Sequence, residues 1–260
     1  MQYYRPNSLK EYFNAIDQQT LYAGGTDLIP RYERGEKLPK SIIDLKKLPE
    51  LQGIREVQNN LEIGAAVTIE EIKNSKLLTS KYQALQESSI DFGSVQIRNR
   101  ATIGGNICNA SPAGDTLPPL YAFGAKLLLT NKNGHRLINI EDFILGPGKI
   151  DLREGELLQK ILIPETNAES VFYKLGLREA MAISVINFAI VYDKNELTIA
   201  VGAVAPTVLK FSELTGLTIE KIILKIDQTI SPIDDIRGTA NYRRKVLRNM
   251  LAYELAKIIN

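Results

Sequence analysis

Two glycine pairs, each followed by short polar side chains, are the residues of this sequence best suited to bind a ligand. The first glycine segment, residues 22–28, reads Tyr-Ala-Gly-Gly-Thr-Asp-Leu and follows an apolar run typical of a strand. The second glycine segment, residues 97–115, contains Gly104 and Gly105 and continues with Asn106. Glycine lets a ligand approach the backbone closely, and short hydrogen-bonding side chains suit phosphate and polyol groups. The chemistry that they indicate is binding rather than bond cleavage.

Two interpretations of these segments remain open. Gly, Asn, Ser, Pro and Asp are also the residues of ordinary surface turns. Alternatively, two such segments close on a diphosphate from two sides, with free backbone N–H groups directed at its oxygens. Neither segment matches the dinucleotide fingerprint G-x-G-x-x-G or the P-loop pattern, so the sequence disfavours a Rossmann or kinase-like site.

Catalysis by a nucleophile or a metal finds little support. The only histidine, His135, lies beside the turn-forming pair Asn133-Gly134, and the only cysteine, Cys108, has no partner. Hydrolysis of the Ser–His or Cys–His type therefore lacks a placed base, and no set of thiolates or imidazoles exists for zinc or iron–sulfur clusters. Cys108 faces either the ligand or the core, and burial as an inert small apolar residue is the favoured interpretation.

Four charged residues of the two segments have alternative interpretations. Asp27 and Asp115 suit a general acid–base pair, but they equally suit contacts to ribose or ribityl hydroxyls, or the N-caps of helices. Arg98 and Arg100 precede the second glycine pair and either neutralise a pyrophosphate or form a solvated surface pair.

The composition is that of an ordinary soluble globular protein. Its 260 residues are 44% hydrophobic and 24% charged, with a formal net charge of +2, which gives no electrostatic reason to expect nucleic acid or a membrane surface as a partner. The first residues contain no apolar signal segment, and no apolar run is long enough to span a bilayer. We therefore expect a cytoplasmic chain without a membrane span.

Helical and strand patterns alternate without a regular βαβ repeat, which predicts an α+β fold. Capping boxes at Ser8 and Thr68 predict helix starts, and Asn133-Gly134 predicts a hairpin. Residues 184–192 and 197–204 predict a second, apolar hairpin, and a helix is expected from about Thr239. A polar stretch around residues 163–167 predicts a domain boundary.

The motifs of the two segments resemble the FAD-binding medium subunit of the molybdenum hydroxylases, which include xanthine, carbon monoxide and nicotinate dehydrogenases. The residues that carry the resemblance are Ala23-Gly24-Gly25-Thr26-Asp27, Ala101-Thr102-Ile103-Gly104-Gly105-Asn106, Asn109-Ala110-Ser111-Pro112-Ala113-Gly114-Asp115-Thr116, Phe172-Tyr173-Lys174-Leu175-Gly176-Leu177-Arg178 and Pro232-Ile233-Asp234-Asp235-Ile236-Arg237-Gly238. They extend over nearly the whole chain.

The resemblance implies an FAD-binding fold of two subdomains, of the p-cresol methylhydroxylase and vanillyl-alcohol oxidase type, followed by a smaller α+β domain of an antiparallel sheet and helices. The implied domains are residues 1–165, with subdomains of about 1–55 and 56–165, and residues 166–260. The implied FAD contacts are Tyr22, Ala23, Gly24, Gly25, Thr26, Asp27, Leu28, Thr102, Gly104, Gly105, Asn106, Asn109, Asp115, Leu158 and Lys174, with Phe92 as a further matching position.

The resemblance also implies a function in electron transfer, without catalytic residues of the chain's own. FAD is expected to bind noncovalently, and molybdopterin and [2Fe-2S] clusters are expected only on a large and a small partner subunit, in a dimer of heterotrimers. NAD is one candidate acceptor of the electrons. The alternatives are a self-contained flavin reductase of the same fold, similar to the UDP-N-acetylenolpyruvoylglucosamine reductases, and a flavin-free scaffold subunit.

Overall fold

The computed structural model describes residues 1–15, 19–178, 181–194 and 196–259, in which helices and strands are mixed along the whole chain. The strands are β1 (Gln2–Tyr4), β2 (Thr20–Tyr22), β3 (Ser41–Asp44), β4 (Ile54–Val57), β5 (Asn60–Gly64), β6 (Lys126–Asn131), β7 (Gly134–Asn139), β8 (Ile144–Gly146), β9 (Lys149–Ile150), β10 (Leu157–Pro164), β11 (Glu169–Gly176), β12 (Ser184–Tyr192), β13 (Leu197–Gly202) and β14 (Leu209–Phe211). The helices are α1 (Leu9–Ala15), α2 (Leu28–Glu33), α3 (Ile69–Asn74), α4 (Gln83–Ile90), α5 (Val95–Arg98), α6 (Ile103–Asn109), α7 (Leu117–Ala122), α8 (Ile140–Phe143), α9 (Ile219–Thr229) and α10 (Ala240–Ile258).

The N-terminal part contains two larger sheets with separate cores, in addition to the short antiparallel pair β8-β9. The first sheet is parallel, in the order β1-β3-β2, and its small core includes Tyr12, Ile43 and Leu48. The second sheet is antiparallel, in the order β4-β5-β10-β6-β7. Its core also takes in α3, α4, α6 and α7, with Ile63 and Ile107 fully buried. The predicted α+β architecture is confirmed.

The C-terminal part is an antiparallel sheet, β11-β12-β13-β14, covered on both faces. On one face Phe188 packs into a core shared with α9 and α10, where Leu247, Leu251 and Leu255 form a buried stripe. On the other face Ala189 joins the core of the second sheet. Cover on both faces explains why β12 is apolar at nearly every position.

Local sequence signals account for many element boundaries. The Thr68 hydroxyl accepts a hydrogen bond from Glu71 N–H at 3.2 Å, and the Glu71 carboxylate accepts one from Thr68 N–H at 2.7 Å, which confirms the predicted capping box. At α1 the Ser8 hydroxyl accepts from Glu11 N–H at 3.2 Å, while Glu11 itself accepts from the N–H of Asn7. The hairpin β6–β7 forms across Asn133-Gly134 as predicted.

The second glycine segment is not the loop that the sequence predicts, because two short helices, α5 and α6, lie within it. The start of α6 is held by the residues that follow β5: Ile103 N–H donates to Val67 C=O at 3.0 Å, and Gly104 N–H donates to Ala65 C=O at 2.9 Å. These long-range hydrogen bonds outweigh the low helix propensity of paired glycines.

Of the helices that the structure describes, none is long and apolar enough to cross a membrane.

Candidate cofactor-binding site

A cavity of about 600 Å³ lies where the first glycine segment, α6 and β10 meet. It falls within the usual range for small-molecule and cofactor sites. It is lined by Leu21, Ala23, Gly24, Gly25, Thr26, Asp27, Leu28, Arg31, Leu45, Leu51, Ala65, Ala66, Phe92, Ile97, Ala101, Thr102, Gly104, Gly105, Asn106, Cys108, Asn109, Gly148, Leu152, Leu157 and Leu158. The lining therefore combines backbone and short polar groups with an apolar wall.

The first glycine segment presents backbone donors to this cavity. Gly25 adopts φ +73°, a left-handed conformation that glycine reaches without strain. In the part of the chain that the structure describes, the N–H groups of residues 24–28 donate to no protein acceptor. Successive unpaired N–H groups in a turn of this kind form a concavity that binds anions.

The second glycine segment contributes differently, and the expectation of free N–H groups on both segments is wrong for this one. The N–H groups of Ile103 and Gly104 donate to carbonyl oxygens of the residues that follow β5. The N–H of Gly105 donates to the Thr102 hydroxyl at 3.1 Å, and the N–H of Asn106 donates to Thr102 C=O at 2.9 Å. The amides at the start of α6 are therefore already paired within the protein. What this segment offers the cavity is shape and side-chain polar groups.

The paired glycines allow close approaches of three different kinds. A Cβ at Gly24 would collide with the carbonyl oxygen of Arg100, so this glycine lets the two segments touch. A Cβ at Gly104 would lie 2.6 Å from the Ala65 carbonyl oxygen. A Cβ at Gly105 would meet only the Thr102 hydroxyl, at 2.8 Å, and Gly105 is exposed to the cavity. At Gly105 the absent side chain leaves room for a ligand.

The two arginines ahead of the second glycine pair are not among the cavity-lining residues. Arg98 is buried and donates to the Glu70 carboxylate at 2.7 Å, which lowers the pKa of that carboxyl. Arg100 donates to the Gly24 carbonyl at 3.3 Å and to the Tyr22 hydroxyl at 2.9 Å. Arg98 is thus a structural ion pair, and Arg100 connects the two glycine segments.

Asp115 and Lys174 lie together, but outside the cavity lining. The Lys174 ammonium is 2.6 Å from one oxygen of the Asp115 carboxylate. The other oxygen accepts hydrogen bonds from the Ser184 hydroxyl at 2.6 Å and from the Asn187 amide at 3.0 Å. Asp115 caps no helix, since the N-cap residue of α7 is Thr116. Lys174 instead lines a second, smaller depression, together with Asp91.

Most of the residues predicted to contact the cofactor line the cavity. These are Ala23, Gly24, Gly25, Thr26, Asp27, Leu28, Thr102, Gly104, Gly105, Asn106, Asn109 and Leu158, and the lining also includes Phe92. Tyr22, Asp115 and Lys174 do not line it; the Tyr22 ring lies over Gly25 instead. Asp27 is exposed at the start of α2 and its side chain makes no capping bond.

Several lining residues were not predicted from the sequence. Leu157 precedes the predicted Leu158 on β10, while Ile97 and Leu152 add to the apolar wall. Cys108 follows Gly105 by three positions on α6, a spacing that places both on one helix face. Burial raises the pKa of the Cys108 thiol to about 12, so it is protonated at neutral pH. Cys108 lines the cavity and also packs against the core of the second sheet.

These features fit a ligand that has an anionic group and a large, partly apolar body. The unpaired amides of residues 24–28 suit a diphosphate, the open face of Gly105 leaves space for it, and the apolar wall suits a ring system. No three His, Cys, Asp or Glu side chains gather as metal ligands in the described ranges. His135 is exposed on β7 and does not line the cavity. A diphosphate-containing cofactor such as FAD fits this site.

The sequence is similar to known proteins over nearly its whole length. Residues 1–166 match the family model for the FAD binding domain in molybdopterin dehydrogenase, and residues 171–257 match that for the CO dehydrogenase flavoprotein C-terminal domain. The chain is 31% identical to the glyceraldehyde dehydrogenase medium chain of Sulfolobus acidocaldarius, over 95% of this chain and 94% of that protein. It is 30% identical to the xanthine dehydrogenase FAD-binding subunit of Escherichia coli O157:H7, over 95% and 92%.

The fold is shared with solved structures as well. A chain of the reconstituted CO dehydrogenase from Oligotropha carboxidovorans superimposes with a TM-score of 0.89 at 28% identity, covering 97% of this chain and 95% of that one. The predicted family and the predicted cofactor are therefore confirmed. The chain belongs to the FAD-binding medium subunits of the molybdenum hydroxylase family, oxidoreductase subunits in which an FAD-binding domain is followed by the C-terminal domain of CO dehydrogenase flavoproteins.

Proposed function

We propose that this chain holds FAD noncovalently between its two glycine segments and passes electrons from [2Fe-2S] clusters to an external acceptor. In this proposal a small partner subunit carries the clusters and a large partner subunit carries the molybdopterin at which substrate is oxidised. The assembly is a dimer of heterotrimers, with NAD as one candidate acceptor. The observation that carries the proposal is the cavity, whose lining includes both the first glycine segment with its unpaired amides and the exposed Gly105.

The residues of the cavity divide the work of binding. The N–H groups of residues 24–28 would hold the diphosphate, because an N–H donor to a charged oxygen forms a strong hydrogen bond. Thr26, Asn106 and Asn109 supply polar side chains for hydroxyl groups. Leu158 and Phe92 belong to the apolar wall, which would exclude water from a ring system.

When bound, FAD supplies the redox chemistry, accepting electrons singly and releasing them singly or in pairs. The chain's own residues bind and orient it and shield it from solvent. No proton donor or base is required of the protein for this task. Cys108, the thiol on the wall, stays protonated because of its raised pKa, and so it is a poor nucleophile.

We propose further that residues 1–165 form the FAD-binding domain, with subdomains of about 1–55 and 56–165, and that residues 166–260 form the C-terminal domain. The family matches to residues 1–166 and 171–257 support this division. The separate cores of the first and second sheets support the two subdomains.

Titration of FAD into the full chain tests the proposal. We expect binding at micromolar concentration or tighter, an oxidised flavin absorption spectrum, and release of all the flavin on acid precipitation, since His135 is remote from the cavity and Cys108 is protonated. FMN is a matched control: it lacks the diphosphate and the adenosine, so it should bind far more weakly. Equal affinity for FMN, or flavin that stays in the precipitate, would contradict the proposed binding mode.

A further inference from the structure

Asp115 connects the second glycine segment to the C-terminal sheet through side chains of two strands. Lys174 on β11 contacts one carboxylate oxygen, and Ser184 and Asn187 on β12 donate to the other. The side chains of Asp115 and Lys174 are only 9% and 7% exposed. A backbone bond runs parallel to this network, from Ala203 N–H to Pro112 C=O at 2.8 Å.

Joining two parts of a protein through a buried ion pair costs desolvation free energy. Removing two charges from water costs several kcal/mol per ion, and well-packed apolar residues often stabilise a junction equally well. The junction already contains apolar packing, since Ala189 and Ala200 of the C-terminal sheet belong to the core of the second sheet. The ion pair is therefore not the only contact that holds the two parts together.

The network places a cation beside the cofactor cavity. Besides Asp115, the Lys174 ammonium donates to the carbonyl of Asp91 at 2.9 Å. The next residue, Phe92, lines the cavity. The hydrogen bonds from Ser184 and Asn187 hold the carboxylate on the side of β12, and so they fix where the ammonium stands.

We propose that Ser184 and Asn187 are positioning residues that act on the flavin through Asp115 and Lys174. By fixing the Asp115 carboxylate they hold the Lys174 ammonium near the edge of the cavity. The Asp115 carboxylate offsets the charge of the ammonium 2.6 Å away, but it is held on the side of β12, while the ammonium lies on the side of Asp91, next to the lining residue Phe92. With its positive end towards the cavity, the pair favours the more negative, reduced state of a neighbouring group. The inference rests on the proposed function, because it assumes that FAD occupies the cavity.

The test compares Ser184→Ala and Asn187→Ala with Ser170→Ala in the full chain. Ser170 is a matched control: it is a buried serine on β11 whose hydroxyl accepts a hydrogen bond from Ala84 N–H at 3.1 Å across the same junction, without touching Asp115. The measurements are the Kd of oxidised FAD and the midpoint potential of the bound flavin, with circular dichroism to confirm folding.

We expect the two β12 variants to bind reduced FAD about tenfold less well relative to oxidised FAD, which lowers the two-electron potential by about 30 mV. Ser170→Ala should leave the potential unchanged. If Asn187→Ala does not fold, Ser184→Ala alone decides, since it removes a single hydroxyl. A potential that is the same in the β12 variants, the control and the wild type would overturn the inference and leave the network a structural junction.

Failure of the proposed function has a different signature. In that case the wild-type chain itself would not bind FAD, whereas failure of this inference leaves wild-type binding intact.

Discussion

The adjacent glycines Gly104 and Gly105 have opposite surroundings. Gly104 packs against Ala65, which follows β5, and a Cβ there would lie 2.6 Å from one atom and 2.7 Å from another atom of Ala65. A Cβ at Gly105 would meet only the Thr102 hydroxyl, and Gly105 faces the cavity. Neither Gly104 nor Gly105 has a positive φ. Protein atoms leave no room for a side chain at Gly104, whereas at Gly105 the proposed ligand would take that room.

We expect Gly105→Val to fold normally and to bind FAD at least about tenfold more weakly. The branched side chain would occupy the space in front of the unpaired amides, and the loss of one charge-assisted hydrogen bond costs roughly 1.5 to 3 kcal/mol. FAD titration followed by flavin absorbance, with circular dichroism of the same sample, measures the effect. Wild-type affinity in a folded Gly105→Val protein would remove this position from the site.

Gly104→Ala is the matched control, and its effect should be on stability. Inserting a methyl group against a fixed carbonyl typically costs about 1 to 3 kcal/mol of unfolding free energy, which urea denaturation measures. The folded fraction should keep its FAD affinity to within about a factor of three. Thus two neighbouring substitutions separate binding from folding.

Among the connecting elements, the segment between α9 and α10 is unusually well fixed. The Asp235 carboxylate accepts hydrogen bonds from Arg237 N–H at 2.8 Å and from the guanidinium of Arg243 at 2.6 Å. Arg243 is buried, and its guanidinium also donates to the carbonyl oxygens of Val185 and Ala203. Arg243 of α10 therefore links Asp235 to β12 and to Ala203, the residue that follows β13.

This arrangement predicts a specific dependence of stability on pH. The hydrogen bonds from Arg237, and then those from Arg243, lower the pKa of Asp235 from 3.8 to about 2. A carboxyl with a lowered pKa stabilises the folded state above its ordinary pKa, and the contribution disappears as the pH falls towards 2. We expect Asp235→Asn to lower the unfolding free energy at pH 7 by on the order of 1 to 2 kcal/mol, with allowance for partial solvent exposure.

The difference between wild type and Asp235→Asn should shrink between about pH 4 and pH 2, because wild-type Asp235 becomes protonated there. Denaturation in urea across this range measures it. Asp142→Asn is the control: Asp142 is exposed and accepts one hydrogen bond from Asn139. A difference that persists undiminished at pH 2 would show that the Asp235 charge is not its source.

Elements with local signals could be predicted from the sequence, and those held by distant residues could not. Thr68 carries its capping box within four residues, and Asn133-Gly134 specifies its own turn. The helix α6 was missed because paired glycines disfavour a helix, and the bonds that offset this come from Ala65 and Val67. The surroundings of Asp115 were missed for the same reason, since its partners on β11 and β12 lie far along the chain.

At the scale of the whole molecule, one core crosses the junction. The core of the second sheet includes Ala189 and Ala200 of the C-terminal sheet and Val208 just before β14, while the helices α9 and α10 cover the opposite face of that sheet. The cavity lies on the N-terminal side of this junction, and the Asp115 network crosses it. The residues that line the cavity all come from positions 21–158.

We expect the full chain loaded with FAD to oxidise neither glyceraldehyde, xanthine nor carbon monoxide. The sequence contains one cysteine and one histidine, too few to ligate iron–sulfur clusters or molybdenum. Absorbance at the flavin band should stay constant after each substrate is added anaerobically. Reduction by dithionite is the control that the bound flavin is active. Sustained bleaching by any of these substrates would contradict the assignment of substrate oxidation to a partner.

The position of β10 in its sheet affects how the chain folds during synthesis. This strand, residues 157–164, is the central one of the second sheet and separates β5 from β6, although both precede it by many residues. A nascent chain that stops short of it exposes two unpaired strand edges, which are templates for aggregation. Because Leu157 and Leu158 also form part of the cavity wall, the cavity is not complete until the ribosome has released this strand.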